Sequence, residues 1–160
     1  MLNFYSIFFL IVFSVNLSSE EGIFGYWLTS GSIVKIETCN NSICGEIATV
    51  FTEEGVDPES ILDENNKDKS KRERPIVGIN ILSDFSLEKS DQKIFKGGKI
   101  YDPRSGNTYK SNLYLNEDGT LKVEGCLAFI CDGEEWQPLI VKIKEDGTKE
   151  AILKNSPRNN

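Results

Sequence analysis

The chain has no histidine among its 160 residues. That absence removes Ser-His-Asp and Cys-His catalysis, and with them the commonest side-chain metal ligand. Basic residues are also scarce: 18 Lys and Arg stand against 25 Asp and Glu, for a net charge of −7. Such a chain lacks the basic face that a phosphate backbone requires, so no nucleic-acid partner is expected. The four cysteines never fall in a C-x-x-C spacing, which argues against thioredoxin-like redox chemistry. The stretch from Asp63 through Asn65 to Lys67 lacks the glycine of an EF-hand loop. No metal and no cofactor is expected.

Long apolar runs are confined to the start. Residues 1–17 are almost wholly apolar and are followed by Ser18, Ser19, Glu20 and Glu21. The run is shorter than the roughly 20 residues a membrane-spanning helix needs. Its length and its small polar end instead fit a secretory signal peptide over residues 1–19. Cleavage there would leave about 140 residues, enough for one domain with a single core and no stable membrane span. A periplasmic or secreted location follows, and no protein partner is specified.

Beyond residue 22 the chain alternates apolar and polar residues in short runs broken by turn residues. The predicted strands are Ile23–Thr29, Ile33–Thr38, Ile43–Phe51, Ile76–Leu82, Lys99–Tyr101, Thr108–Leu115, Thr120–Leu127, Glu135–Leu139, Val141–Lys144 and Lys149–Leu153. Asp-Gly pairs at 118–119, 132–133 and 146–147 predict hairpin turns. In one such hairpin Tyr109, Ser111, Leu113 and Leu115 would share an inner face with Leu121, Val123 and Leu127. Sequential hairpins in a small domain favour an all-β, up-and-down antiparallel barrel, because closure removes exposed edges. The polar stretch from Thr52 to Pro75 interrupts the pattern. Asp57, Pro58 and Glu59 predict one short helix there, running through Leu62.

Cys39 and Cys44 have the same spacing as Cys126 and Cys131. Three disulfide connectivities are open to four cysteines. Local pairing suits the hairpin reading, with Cys39 facing Cys44 and Ile36 facing Ile47, and each small ring adds about 2 kcal/mol. That register also sets Glu37 against Glu46, an unfavourable like-charge pair. Both glutamates would project outward, where water is not excluded, so the chain is not expected to be an enzyme. Leu127 to Ile130 is wholly apolar and reads either as strand continuing into the core or as a rim or partner patch.

Several residues carry a resemblance. Gly25-Tyr26-Trp27 resembles the G-x-W entry of lipocalin-like barrels. A longer ordered set resembles the secreted bacterial family called domain of unknown function 2147. It runs through Val34-Lys35-Ile36, Cys39, Cys44-Gly45, Arg74-Pro75, Gly78 and Gly97-Gly98. It continues with Ile100-Tyr101-Asp102-Pro103, Gly106, Tyr109, Leu121, Val123, Gly125-Cys126 and Trp136. The similar region spans residues 22–138, within a single barrel domain over 20–160, and a hairpin at 139–154 looks like an addition. Departures include Phe95, where the family often has Trp, and Asp132 to Glu135 in place of basic and Gln residues. The family's Arg after the last Trp has no match near Gln137 and Pro138.

The resemblance implies a lipocalin- or calycin-like barrel in an extracytoplasmic compartment, without implying a reaction. A barrel of this size is either filled by its own side chains or holds one small ligand. Trp27, Tyr101, Tyr109 and Trp136 are the aromatic candidates for lining a pocket. Asp102 and Arg74 are the polar ones, and the two motifs suggest a pair between them at the barrel mouth. Asp102 can equally serve to start a turn through its side chain. Two functions are therefore expected in parallel. One is a carrier of a small apolar ligand or lipid. The other is a non-catalytic envelope-structural or interaction module with a solid core, its charged loop Glu53–Arg74 meeting a partner.

Overall fold

A computed structural model of the chain describes residues 22–88 and 93–154. The expected leader at 1–19 lies outside the described residues. Nine strands follow one another: β1 Gly25–Leu28, β2 Ser32–Cys39, β3 Ser42–Val50, β4 Asn80–Ser86, β5 Ile94–Asp102, β6 Asn107–Leu115, β7 Leu121–Leu127, β8 Ile130–Ile143 and β9 Lys149–Leu153. Each pairs antiparallel with the next, and β1 pairs back onto β8, closing an eight-stranded barrel to which β9 is added.

Closure brings Trp27 beside Val34 on one side and Pro138 on the other. The indole N–H of Trp27 donates to the Ile23 carbonyl at 2.8 Å, so the missing family Arg leaves no unsatisfied group there. Alternation along the strands turns Val34, Ile36, Leu82, Phe85, Leu113 and Trp136 into a common buried core. Each contributes about 1.5–3 kcal/mol by leaving water. Gly98 faces the Phe85 ring so closely that a Cβ would collide with it. The ring therefore fills the middle of the barrel through a gap left by a missing side chain. This part of the interior is solid.

The β6–β7 register agrees with the expected hairpin, setting Leu113 against Val123 and Leu115 against Leu121. Other expectations need correction. Asn40 and Asn41 both take positive φ, 44° and 65°, and form a two-residue turn that pairs Cys39 with Ser42. The register is thereby moved: Val34 faces Ile47, Lys35 faces Glu46 and Glu37 faces Cys44. The Glu37–Glu46 juxtaposition does not occur, and Glu37 forms an ion pair with Lys35. Cys39 still reaches Cys44, diagonally, with Cα atoms 5.9 Å apart. Cys126 faces Cys131 directly and is bonded to it.

Asp132-Gly133 is not a turn but lies inside β8, which is one strand rather than two. The turn is Ala128-Phe129, with Ala128 at φ 56°. Gly133 is required for packing, because a Cβ there would meet the Val123 carbonyl oxygen. The other two Asp-Gly pairs do sit between strands, ahead of β7 and β9. The strand expected at Ile76–Leu82 instead begins at Asn80. Ile76 and Ile79 nonetheless pack on the core from the preceding segment.

Residues 51–79 form a long excursion between β3 and β4. Its expected helix is a three-residue 3-10 turn, Pro58–Ser60, capped by the Asp57 carboxylate as the sequence indicated. A second 3-10 turn covers Lys69–Lys71. An isolated bridge joins Leu62 to Pro75, which draws the excursion into a narrow loop.

Replacing Gly98 by Ala should lower stability by about 1–3 kcal/mol through overpacking against Phe85. Gly31→Ala, at a position with open space around it, should change stability by less than about 0.5 kcal/mol. Urea unfolding of both variants checks the solid middle, which equal midpoints would contradict.

Candidate functional site

Four connections gather at one end of the barrel: β1–β2, the excursion, β5–β6 and β7–β8. The first is a tight turn in which Thr29 Oγ1 accepts from the Ser32 N–H at 2.9 Å. The β5–β6 turn is built on Asp102. Its Oδ1 accepts from the backbone and Nε of Arg104, at 3.1 and 3.0 Å, and its Oδ2 from Ser105 Oγ at 2.9 Å. Burial works against the charged form of Asp102. The hydrogen bonds from Arg104 and Ser105 outweigh it and hold the carboxyl below the usual carboxylate range. The turn-starting role read for Asp102 is thus what the structure contains. The Asp102–Arg74 pair is not, since Asp102 is taken up by Arg104 and Arg74 turns elsewhere.

Arg74 turns to Asp63, a carboxylate with no exposed surface. Nε and Nη2 of Arg74 both donate to Asp63 Oδ2, at 3.0 and 2.9 Å, and Asn66 Nδ2 donates to the same oxygen at 2.7 Å. Tyr101 OH donates a hydrogen bond to Oδ1. Main-chain bonds add to the lock: Asp63 N–H donates to the Arg74 carbonyl at 3.0 Å, and Ile76 N–H to Ile61 at 2.8 Å. Asn66 Nδ2 also reaches Tyr101 OH at 3.0 Å, so the excursion is fastened to β5 by a cluster built around this carboxylate. Burial, followed by the hydrogen bond to Asp63, pushes Tyr101 up to about 12.

Two adjoining cavities open at this end inside the ring of connections. The smaller, about 200 Å³, is walled by Ile47, Val50, Ile76, Ile81 and Trp136, with Asp102 and Glu134 at its edge. The larger, about 510 Å³, runs along Ile100, Tyr109, Val123, Leu127 and Ile130. The two share Ser30, Ile100, Asp102, Arg104 and Glu134. Trp136 donates its indole N–H to Glu134 Oε1 at 2.8 Å, fixing that carboxylate at the junction. Asp132 lies on the same wall of the larger cavity.

The aromatic and polar candidates therefore separate. Tyr109 and Asp102 line the larger mouth cavity, and Trp136 and Tyr101 line the smaller. Arg74 lines a third cavity beside the excursion, which Tyr101 also reaches. Trp27 lines none of these and belongs to the core. The apolar tip does not continue into the core: Leu127 is 72% exposed and Phe129 91%, beside the mouth. Glu124, Cys126 and Cys131 converge, but both sulfurs are in the disulfide, leaving Glu124 alone to offer a ligand atom.

Sequence reasoning missed Asp63, Asn66, Asp132 and Glu134. The last two had a usable signal, since they alternate with Trp136 and share its inward face. Asp63 had none, because it stands in a polar run beside other acids and amides.

The Tyr101–Asp63 bond makes a pH prediction. A tyrosine whose folded pKa is raised from 10 to about 12 stabilises the fold fully below pH 10. That contribution is lost as pH rises towards 12. A tyrosinate absorbance titration should show a late ionisation that Tyr101→Phe removes. The variant should also cost about 1–3 kcal/mol, because Asp63 Oδ1 is left without its donor. An unchanged titration in the variant would contradict this assignment.

Comparison with known proteins agrees with this geometry. The structure is similar to that of protein HP1028 from the human pathogen Helicobacter pylori, which is described as belonging to the lipocalin family. The TM-score is 0.60 at 21% identity, covering 72% of this chain and 80% of that one. At that identity the likeness speaks for the lipocalin-like fold alone. No curated protein matches the chain. The family model described as an uncharacterized protein conserved in bacteria, domain of unknown function 2147, matches residues 25–138. The chain belongs to that family and folds as a lipocalin-like barrel.

Proposed function

We propose that this protein is an extracytoplasmic, non-enzymatic carrier that holds a small apolar ligand at the open end of its barrel. One observation carries the reading: two adjoining cavities with partly apolar walls lie beside the packed core. Together they offer space on the scale of a small-molecule site, with a few polar groups to orient its occupant. Tyr109, Asp102, Tyr101 and Trp136 supply walls and polar atoms. The two disulfides suit an oxidising compartment, as does the leader read at residues 1–19. Among the described residues no helix is long and apolar enough to cross a membrane.

The charges favour some ligands over others. Arg104 is the one basic side chain lining the larger cavity among the described residues, and it is already paired with Asp102. Asp132 and Glu134 remain facing the space. A ligand with a carboxylate head group meets like charge here, so a neutral apolar molecule suits the mouth better.

A second reading, as an interaction module, draws on the exposed tip of Leu127, Phe129 and Ile130. An apolar tip of this kind can meet a partner instead of rimming a pocket. One experiment separates the two. Native mass spectrometry of protein from its own host, purified without detergent, should find a bound small molecule. The recombinant protein should take up the neutral fluorophore N-phenyl-1-naphthylamine. Ile130→Glu, at an exposed position, should weaken that uptake about tenfold through lost apolar contact. A bare mass together with no fluorophore uptake would end the carrier reading and leave the interaction module.

A further inference from the structure

The mouth is acidic, but the largest basic concentration in the chain lies only a turn away. Lys67, Lys69, Lys71, Arg72 and Arg74 fall within one stretch of the excursion, in a chain of net charge −7. Three of them, Lys67, Lys71 and Arg74, line a cavity of about 770 Å³ between the excursion and the β5–β6 turn. The acid on that wall is Asp68, which is spent on capping Ser70 and on a 3.6 Å contact with Lys71.

Arg74 does not hang loose in this space. Asp63 grips the Nε and Nη2 edge from the buried side, and Nη1 donates no hydrogen bond among the described residues. A guanidinium held from behind presents its remaining N–H groups at fixed positions, which is how arginine recognises carboxylates and phosphates. Lys67 has no ion pair among the described residues and stands on the same wall. The opposite wall is equally fixed. Asn65 Nδ2 donates to the Arg104 carbonyl at 3.0 Å, and Gly106 lies so close to the Asn65 carbonyl that no side chain would fit. Asn80, Asn107 and Thr108 add polar lining without charge.

We propose that this groove is a second binding site, separate from the mouth, for a small soluble organic anion. Its carboxylate or phosphate group would sit between Arg74, Lys67 and Lys71. The space is far larger than an inorganic ion, so the anion carries a polar body that the amides and the Thr108 hydroxyl can meet. The Asp63–Arg74 pair then does two things, fastening the excursion and aiming the guanidinium.

The test is an amide NMR titration at low ionic strength with inorganic phosphate, succinate and glucose 6-phosphate, with glucose as the neutral control. Saturating shifts are expected at Gly78, Asn80 and Thr108 with at least one anion and not with glucose. Lys67→Ala combined with Lys71→Ala leaves the Asp63 lock untouched and should weaken that binding at least tenfold. Fluorophore uptake at the mouth should be unchanged in the same variant, so the two sites are scored separately. Absence of saturation up to tens of millimolar anion, or equal binding by the double variant, would overturn the proposal. So would a response to phosphatidylglycerol vesicles with none to the free anions, since that would assign the groove to a lipid surface.

Discussion

Asp63 has no exposed surface, yet it takes hydrogen bonds from Arg74, Asn66 and Tyr101, the last of them 38 residues away in sequence. Burying a carboxylate costs several kcal/mol unless its partners are well placed, and removing a partner leaves that cost exposed. The pair is therefore weak as a source of net stability and strong as a constraint on position. Tyr101 belongs to β5 of the barrel, while Asn66 and Arg74 belong to the excursion. Their common acceptor ties the excursion to β5, beside the Asn65–Arg104 bond and the main-chain bonds of Ile47 with Gly78 and Ile79. Through it the excursion supplies Ile76 to the smaller mouth cavity and Arg74 to the basic groove.

The rest of the barrel divides by filling. Between β4 and β5, Gly98 yields its side-chain space to the buried Phe85 ring. Towards the loops, Ser30, Ile100, Tyr109, Val123 and Gly125 border a space of about 510 Å³. Acids collect on the inner wall of β8, and basic residues collect on the excursion outside it. The end that holds the loops thus presents an acidic mouth and a basic groove beside it.

Much of the barrel was legible because a half-buried strand alternates, and alternation survives in a single sequence. Leu113 facing Val123 is of this kind. Turn chemistry was less dependable. Asp118-Gly119 and Asp146-Gly147 separate strands, while Asp132-Gly133 lies inside one, because Gly133 answers to the Val123 carbonyl rather than to a bend. Two asparagines in left-handed conformations placed the first disulfide on a diagonal and separated Glu37 from Glu46. The family-like motifs pointed to Arg74, Tyr101 and Asp102, which line cavities at the loop end. They suggested the wrong partner for Arg74, since its true partner is a long-range contact that no local pattern encodes. Acids are ordinarily exposed, and nothing in the run around Asp63 marks this one as buried.

The central claim is that one buried carboxylate holds the excursion against the barrel. Amide hydrogen exchange on the intact protein and on Asp63→Ala tests it most directly. In the native chain the amides of Asp63, Asn66 and Ile76, each bonded to a backbone carbonyl, should be protected. In the variant these should exchange at least tenfold faster, while the paired amides of β6 and β7 keep their protection. Retained protection across 61–76 in the variant, or a uniform loss over the whole barrel, would contradict the account.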